Sequence, residues 1–154
     1  MKGLKTVVFG ITVLAVLAFA GVGAAVASSG SSARVATVAS GSSALGRIIV
    51  DSRGHTLYLF EKDRRGASAC SGACLVYWPP LLTRGAPTAI KGARPSLLGS
   101  IRRADGTRQV TYAGHPLYLF SGDARRGQTN GEGLKDFGAD WYVLMPSGKK
   151  IDRD

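Results

Sequence analysis

Two histidines, two cysteines and a twice-used aspartate are the side chains of this sequence best suited to chemistry. His55 and His115 are the only histidines and Cys70 and Cys74 the only cysteines. Asp63 and Asp123 close two copies of one phrase, Gly54-His55-Thr56-Leu57-Tyr58-Leu59-Phe60-Glu61-Lys62-Asp63 and Gly114-His115-Pro116-Leu117-Tyr118-Leu119-Phe120-Ser121-Gly122-Asp123. If the two imidazoles met, then with Asp63, Asp123 or Glu61 they would offer a Zn²⁺ or Cu²⁺ site. Each histidine also suits a turn-to-strand junction, which duplication alone would produce twice. The C-x-x-x-C pair has two readings as well. In an exported chain a cystine is expected, closing a ring worth about 2 kcal/mol and fixing the loop before Trp78-Pro79-Pro80. A reactive dithiol, or a thiolate pair on a soft metal, is the alternative.

Each aspartate follows its phenylalanine by three residues, where it is placed to accept backbone N–H bonds and to pair with Arg65 or Arg125. One carboxylate per repeat has no partner at acid/base spacing. Asp123, Asn130, Glu132, Asp136 and Asp140 thread a glycine-rich loop, but without the spacing of an EF-hand. No nucleophile elbow, phosphate-cradling glycine loop, H-E-x-x-H helix or four-cysteine zinc pattern occurs. The expectation is a non-enzymatic protein without a cofactor, Cu or Zn being the alternative.

Seven of the ten positions in the phrase are identical at an offset of sixty residues, which marks a duplicated unit. In each copy, period two sends Tyr58 and Phe60 (Tyr118 and Phe120) to one face and the leucines to the other, so these strands need cover on both sides. Ile48-Ile49-Val50, the turn residues Asp51 to Gly54 and the Thr56–Lys62 run predict one hairpin. Asp105-Gly106 and Ala113-Gly114 predict two more. Trp78 and Trp141 follow the repeated tyrosines by twenty and twenty-three residues, and core positions over the motif strands are expected for both. No long amphipathic helix follows Gly46. The predicted fold is mainly β: one small domain of two pseudo-symmetric repeats, with short antiparallel strands and long loops, the motif strands lying near a pseudo-two-fold axis.

Lys2 and Lys5 precede an uncharged run from Val7 to Ala20, apolar but for Thr12, and a small-residue end at Ala25-Val26-Ala27, the pattern of a signal peptide cleaved after Ala27. A retained membrane anchor is the alternative, since the run is about long enough to span a bilayer. Residues 28–46 are almost entirely Ser, Ala, Gly, Val and Thr and predict a flexible linker. Residues 47–154 are then the folded domain, with repeat one at about 47–100 and repeat two at about 101–154. The formal charge of +10 falls to +8 once residues 1–27 are removed. A basic exported protein is drawn to anionic wall polymer or a membrane surface. Its Arg and Lys pairs are scattered, so no specific nucleic-acid groove is expected.

Tyr58-Leu59-Phe60-Glu61-Lys62-Asp63 and Tyr118-Leu119-Phe120-Ser121-Gly122-Asp123 resemble the duplicated Y-x-[FWY]-x-x-D motif of a bacterial secreted-repeat family, often labelled predicted lipoproteins. Cys70-Ser71-Gly72-Ala73-Cys74, Trp78-Pro79-Pro80-Leu81 and Phe137-Gly138-Ala139-Asp140-Trp141 resemble it too, over most of residues 47–145. The resemblance implies Tyr58, Phe60, Asp63, Tyr118, Phe120 and Asp123 as the repeat-motif residues, and it carries no established activity. The sequence lacks a cysteine near the cleavage point that would bear a lipid anchor.

Overall fold

The computed structural model describes residues 34–152 together with Gly3; apart from Gly3, the expected signal peptide lies outside the described residues. The expected linker does not run to residue 46. Thr37–Ser43 forms strand β1, with Val38, Ala39 and Ser40 buried, as is Ala36 just before it. Small residues there serve close packing: a Cβ on Gly41 would sit 2.9 Å from the side chain of Val50 on the neighbouring strand. A linker and a tightly packed strand both select small side chains, which is why composition misreads this segment.

The remaining elements are β2 (Gly46–Asp51), β3 (Tyr58–Phe60), the single-turn helix α1 (Cys74–Tyr77), β4 (Thr88–Ile90), β5 (Leu98–Arg102), β6 (Arg108–Tyr112), β7 (His115–Pro116), β8 (Lys135–Asp136) and β9 (Ala139–Val143). They form three small sheets, ordered β2-β1-β4, β3-β9-β8 and β5-β6-β7. All pairings are antiparallel except β1 with β4. The hairpins β1-β2 and β5-β6 are counterparts, so the second repeat begins at β5, at Leu98, three residues before the boundary expected at about 101. The Ala113-Gly114 loop takes positive φ at both positions, 51° and 84°, the conformation a two-residue hairpin turn requires.

The motif strands meet edge to edge within one layer. The amide of Tyr58 donates to the carbonyl of Tyr118 (2.9 Å) and the amide of Tyr118 to the carbonyl of Tyr58 (3.0 Å). In an antiparallel pair this places two equivalent residues directly opposite each other, as a two-fold axis would. The outer neighbours come from the opposite repeats. Strand β9 of repeat two pairs with β3 of repeat one, while Pro79 and Pro80 of repeat one lie against the Tyr118 strand of repeat two. Prolines lack the N–H a central strand needs, so the Pro79-Pro80 segment is an edge, whereas β9 pairs on both sides.

Period two divides the core in two, one cluster on each side of this layer. Tyr58, Phe60, Trp78, Tyr118 and Trp141 share one side; Leu57, Leu59, Leu117, Tyr112 and Leu144 share the other. On the aromatic side four rings stack in sequence: Phe60 on Trp141 (4.1 Å between centroids), Trp141 on Trp78 (3.8 Å) and Trp78 on Phe120 (4.4 Å). Each motif phenylalanine thus lies on the tryptophan of the other repeat. Tyr58 and Tyr118 close the stack edge-on, against Trp78 and Trp141. Each such contact adds about 0.5–1.5 kcal/mol to the burial of the rings themselves. Both tryptophans are fully buried, as expected for core residues.

Candidate functional site

The polar end of the motif repeats the same exchange. The Tyr58 hydroxyl donates to Asp123 Oδ2 (2.6 Å), and the Tyr118 hydroxyl donates to Asp63 Oδ2 (2.8 Å). Each aspartate uses its other oxygen on its own repeat, accepting the amide of Ala69 (2.7 Å) or Asn130 (2.9 Å). One carboxylate therefore closes the loop after its own strand and holds the tyrosine of the other repeat. The expected bonds to backbone are present. The expected pairing of Asp63 with Arg65 and of Asp123 with Arg125 is not, because each carboxylate is turned inward to the phenol.

Burial pushes both phenols well above the ordinary tyrosine range, with the paired aspartates adding to the rise. Burial also raises both carboxyls, opposed by the amide and phenol bonds they accept. A phenol displaced upward is a hydrogen-bond donor, unsuited to act as a base or nucleophile near neutrality. The arrangement holds two repeats together.

A buried arginine completes one side. Arg103 Nη1 donates to Ser68 Oγ (2.9 Å) and to Gln109 Oε1, and Nη2 donates to the carbonyl of Cys70 (2.8 Å). Ser68 Oγ in turn bonds the Tyr118 hydroxyl (2.6 Å). The Arg103 charge lowers the Asp63 carboxyl, though less than burial raises it. Sequence reasoning missed Arg103 and Gln109: the first sits in an ordinary Arg-Arg pair, and the second is a polar residue inside a strand whose burial only the fold reveals.

Cys70 and Cys74 form a disulfide, with Cα atoms 5.4 Å apart and both residues buried. Gly72 turns the ring with φ 56°. Cys74 opens α1, and its carbonyl accepts the amide of Trp78 (2.8 Å). The cystine thus fixes the start of the segment that delivers Trp78 and Pro79.

The histidines are not brought together. Antiparallel pairing through Tyr58 and Tyr118 sends His55 and His115 to opposite ends of the pair, about 20 Å apart at the rise of extended chain. His55 lies 3.6 Å from Asp51 across its turn. His115 lies on β7 with one side covered, and this partial desolvation, helped by Arg65, lowers its pKa against the opposing effect of Glu61. Among the described residues, no group of three or more His, Cys, Asp or Glu is placed to hold a metal ion. The acidic loop is likewise committed: Glu132 accepts the amide of Val143, and Asp136 accepts the indole N–H of both tryptophans, through its side chain from Trp78 and through its carbonyl from Trp141.

A family model described as a secreted repeat of unknown function matches residues 40–82 and 99–145. The chain belongs to this secreted-repeat family. The matches start within β1 and β5 and stop just past Leu81 and Leu144, so they coincide with the two structural repeats found here. No curated protein and no solved structure matches. For this secreted repeat, the aromatic stack and the crossed Tyr–Asp bonds give the motif positions a physical meaning: they are the contacts between repeats.

Proposed function

We propose that this secreted repeat is a non-enzymatic binding module of the cell envelope, exported with loss of residues 1–27 and retained by anionic wall polymer. The observation that carries this reading is the inward commitment of the motif: Tyr58, Asp63, Tyr118 and Asp123 all bond to one another or to backbone. What the protein offers outward is loops and a basic surface, with a formal charge of +8 after export. Polyanion binding is the interaction such a charge favours outside the membrane.

The test is retention of the purified protein on isolated cell wall at low and high salt, with amino-terminal sequencing and assays of metal and free thiol on the same sample. Expected are a first residue of Ser28, wall binding that salt reverses, and no free thiol. Copper or zinc near one equivalent per chain, lost on chelation, would instead establish the envelope metal-binding alternative with His55 or His115 as ligands. Free thiols at both cysteines would favour the thiol redox alternative.

A further inference from the structure

Three arginines converge where β5 ends and β6 begins. Arg84, Arg102 and Arg108 line a cleft of about 440 Å³ together with Thr83 and Thr107. A second cleft of about 400 Å³ shares Arg84 and Arg108 and adds Ser100. All three arginines are exposed, and no acidic residue among the described residues lines either cleft. Asp105, in the turn between β5 and β6, is occupied. It accepts both the amide and the hydroxyl of Thr107, bonds that hold its pKa below the ordinary range, and lies 3.9 Å from Arg103 Nε.

This clustering works against the fold. Arg102 and Arg108 are directly opposite each other in the β5-β6 register, where like charges destabilise a strand pair. Duplication does not account for it. The amides of Ile49 and Val110 donate to the carbonyls of Leu144 and Leu81, which makes these two sets equivalent. The counterparts of Arg102, Arg108 and Arg84 in the other repeat are then Ser42, Arg47 and Ser147, one charge where this side has three. The frame is also built. The amide of Thr83 bonds the carbonyl of Arg108 (2.9 Å), while its buried hydroxyl accepts the amide of Ala36 (3.1 Å) and donates to the carbonyl of Gly85 (2.9 Å), fixing the turn that carries Arg84. Arg108 Nη1 is steadied by Ser100 Oγ (3.1 Å).

Resting on the reading of the protein as a polyanion-binding module, we propose that the Arg84–Arg102–Arg108 cleft is its ligand site and takes the phosphate groups of a linear polyphosphodiester of the wall. Guanidinium groups present paired N–H donors that match phosphate oxygens, and three of them on a fixed frame bind successive anionic groups of a chain where a diffuse lysine surface would not discriminate.

The test uses sodium polyphosphate as a soluble probe. It compares the protein with Arg102→Gln/Arg108→Gln, with Arg84→Gln, and with Arg125→Gln/Lys149→Gln, which removes the same charge elsewhere. The cleft double variant is expected to lose affinity by about ten-fold or more, and its salt dependence to become shallower by about one unit of log–log slope per arginine. Arg84→Gln, outside the strand pair, should lose affinity in the same direction, and the distant pair by less than about three-fold. The thermal midpoint of the cleft double variant should equal or exceed that of the parent, since a repulsive strand pair has been removed. Equal losses in the cleft and distant variants would overturn the cleft and leave the polyanion reading standing. Absence of any binding by the parent would overturn both. Tighter binding of poly-glutamate than of polyphosphate would overturn the phosphate assignment. Cleft-dependent binding only to phosphatidylglycerol vesicles would move the ligand to a lipid headgroup. A lowered midpoint with unchanged affinity would make the arginines structural and overturn the proposal.

Discussion

Tyr118 of the second repeat donates its hydroxyl to Asp63 of the first at 2.8 Å, and the mirror bond from Tyr58 to Asp123 spans 2.6 Å. The pair explains why tyrosine and aspartate recur at a fixed spacing. Tyrosine lies at the axis between the repeats, and five residues on, the chain has passed the end of the strand and turned back within reach of the other repeat's phenol. Neither residue completes its bonds inside its own repeat.

Removing one phenol should therefore cost more than its ring. Tyr118→Phe leaves Asp63 Oδ2 and Ser68 each short of a partner in a half-buried site, and a loss of about 1–3 kcal/mol is expected. Asp63→Asn should be coupled to it. Urea unfolding of the two single variants and the double variant gives the interaction energy; strictly additive losses would show that the two side chains do not act together.

Gly131 is packed closely against the aromatic side. A Cβ there would stand 2.7 Å from Trp78 Cη2 and 3.0 Å from the ring of Tyr58. Gly131→Ala should destabilise by about 1–3 kcal/mol through overpacking. Because the displaced groups are Tyr58 and Trp78, near-UV circular dichroism should change with it, and an unaltered spectrum and midpoint would contradict the packing described.

Strand exchange predicts that half the molecule cannot stand alone. A fragment of residues 34–97 lacks β9 and Tyr118, so β3 has no neighbour on either edge and Phe60 has no Trp141 to lie on. It should show no cooperative thermal transition by circular dichroism, and should gain one when mixed with residues 98–152. A cooperative transition for the first fragment alone would mean that the repeats are independent bodies.

The pH dependence has an unusual sign. Burial raises Asp63 and Asp123 in the folded protein, so their contribution is fully present below the ordinary aspartate pKa and is lost as pH rises through the raised values. Asp63→Asn/Asp123→Asn should flatten that decline. Tyr58 and Tyr118 are raised too, so folding loses stability as pH climbs above about 10, where only the unfolded phenols ionise readily. Tyrosinate absorbance and near-UV circular dichroism should then change together. Ionisation of these two phenols at ordinary values with the tertiary signal intact would show that they are not buried donors.

The cystine should contribute modestly. Cys70→Ala/Cys74→Ala is expected to lower stability by about 2 kcal/mol, the order given by chain entropy for so short a ring. The effect should reach Trp78 fluorescence, because the Cys74 carbonyl holds the amide of Trp78. A protein whose midpoint is indifferent to reductant, with thiols measured as free, would refute a stabilising role.

The duplicated phrase, the two-faced Leu-Tyr-Leu-Phe strands, the Asp105-Gly106 and Ala113-Gly114 turns, the paired cysteines and the buried tryptophans were all legible in the sequence. Each is a local property: alternation, turn chemistry or spacing states it within a few residues. Where two structures share one composition, local signals do not separate them. The small residues of 37–43 carry the composition of a linker but form β1, and what distinguishes the two is Val50 packed against Gly41.

Which repeat completes which was decided only in three dimensions. Nothing in the spacing of Tyr58, Asp63, Phe60 or Trp78 says that their partners are Asp123, Tyr118, Trp141 and Phe120, because those contacts join residues far apart along the chain and arise from the axis between the repeats. The same axis separates His55 from His115, although sequence equivalence invited their meeting. It also leaves Arg84, Arg102 and Arg108 together at one end, although they are scattered in the sequence. Periodicity dictates which side of a strand a residue faces; only the pairing of strands dictates what it faces.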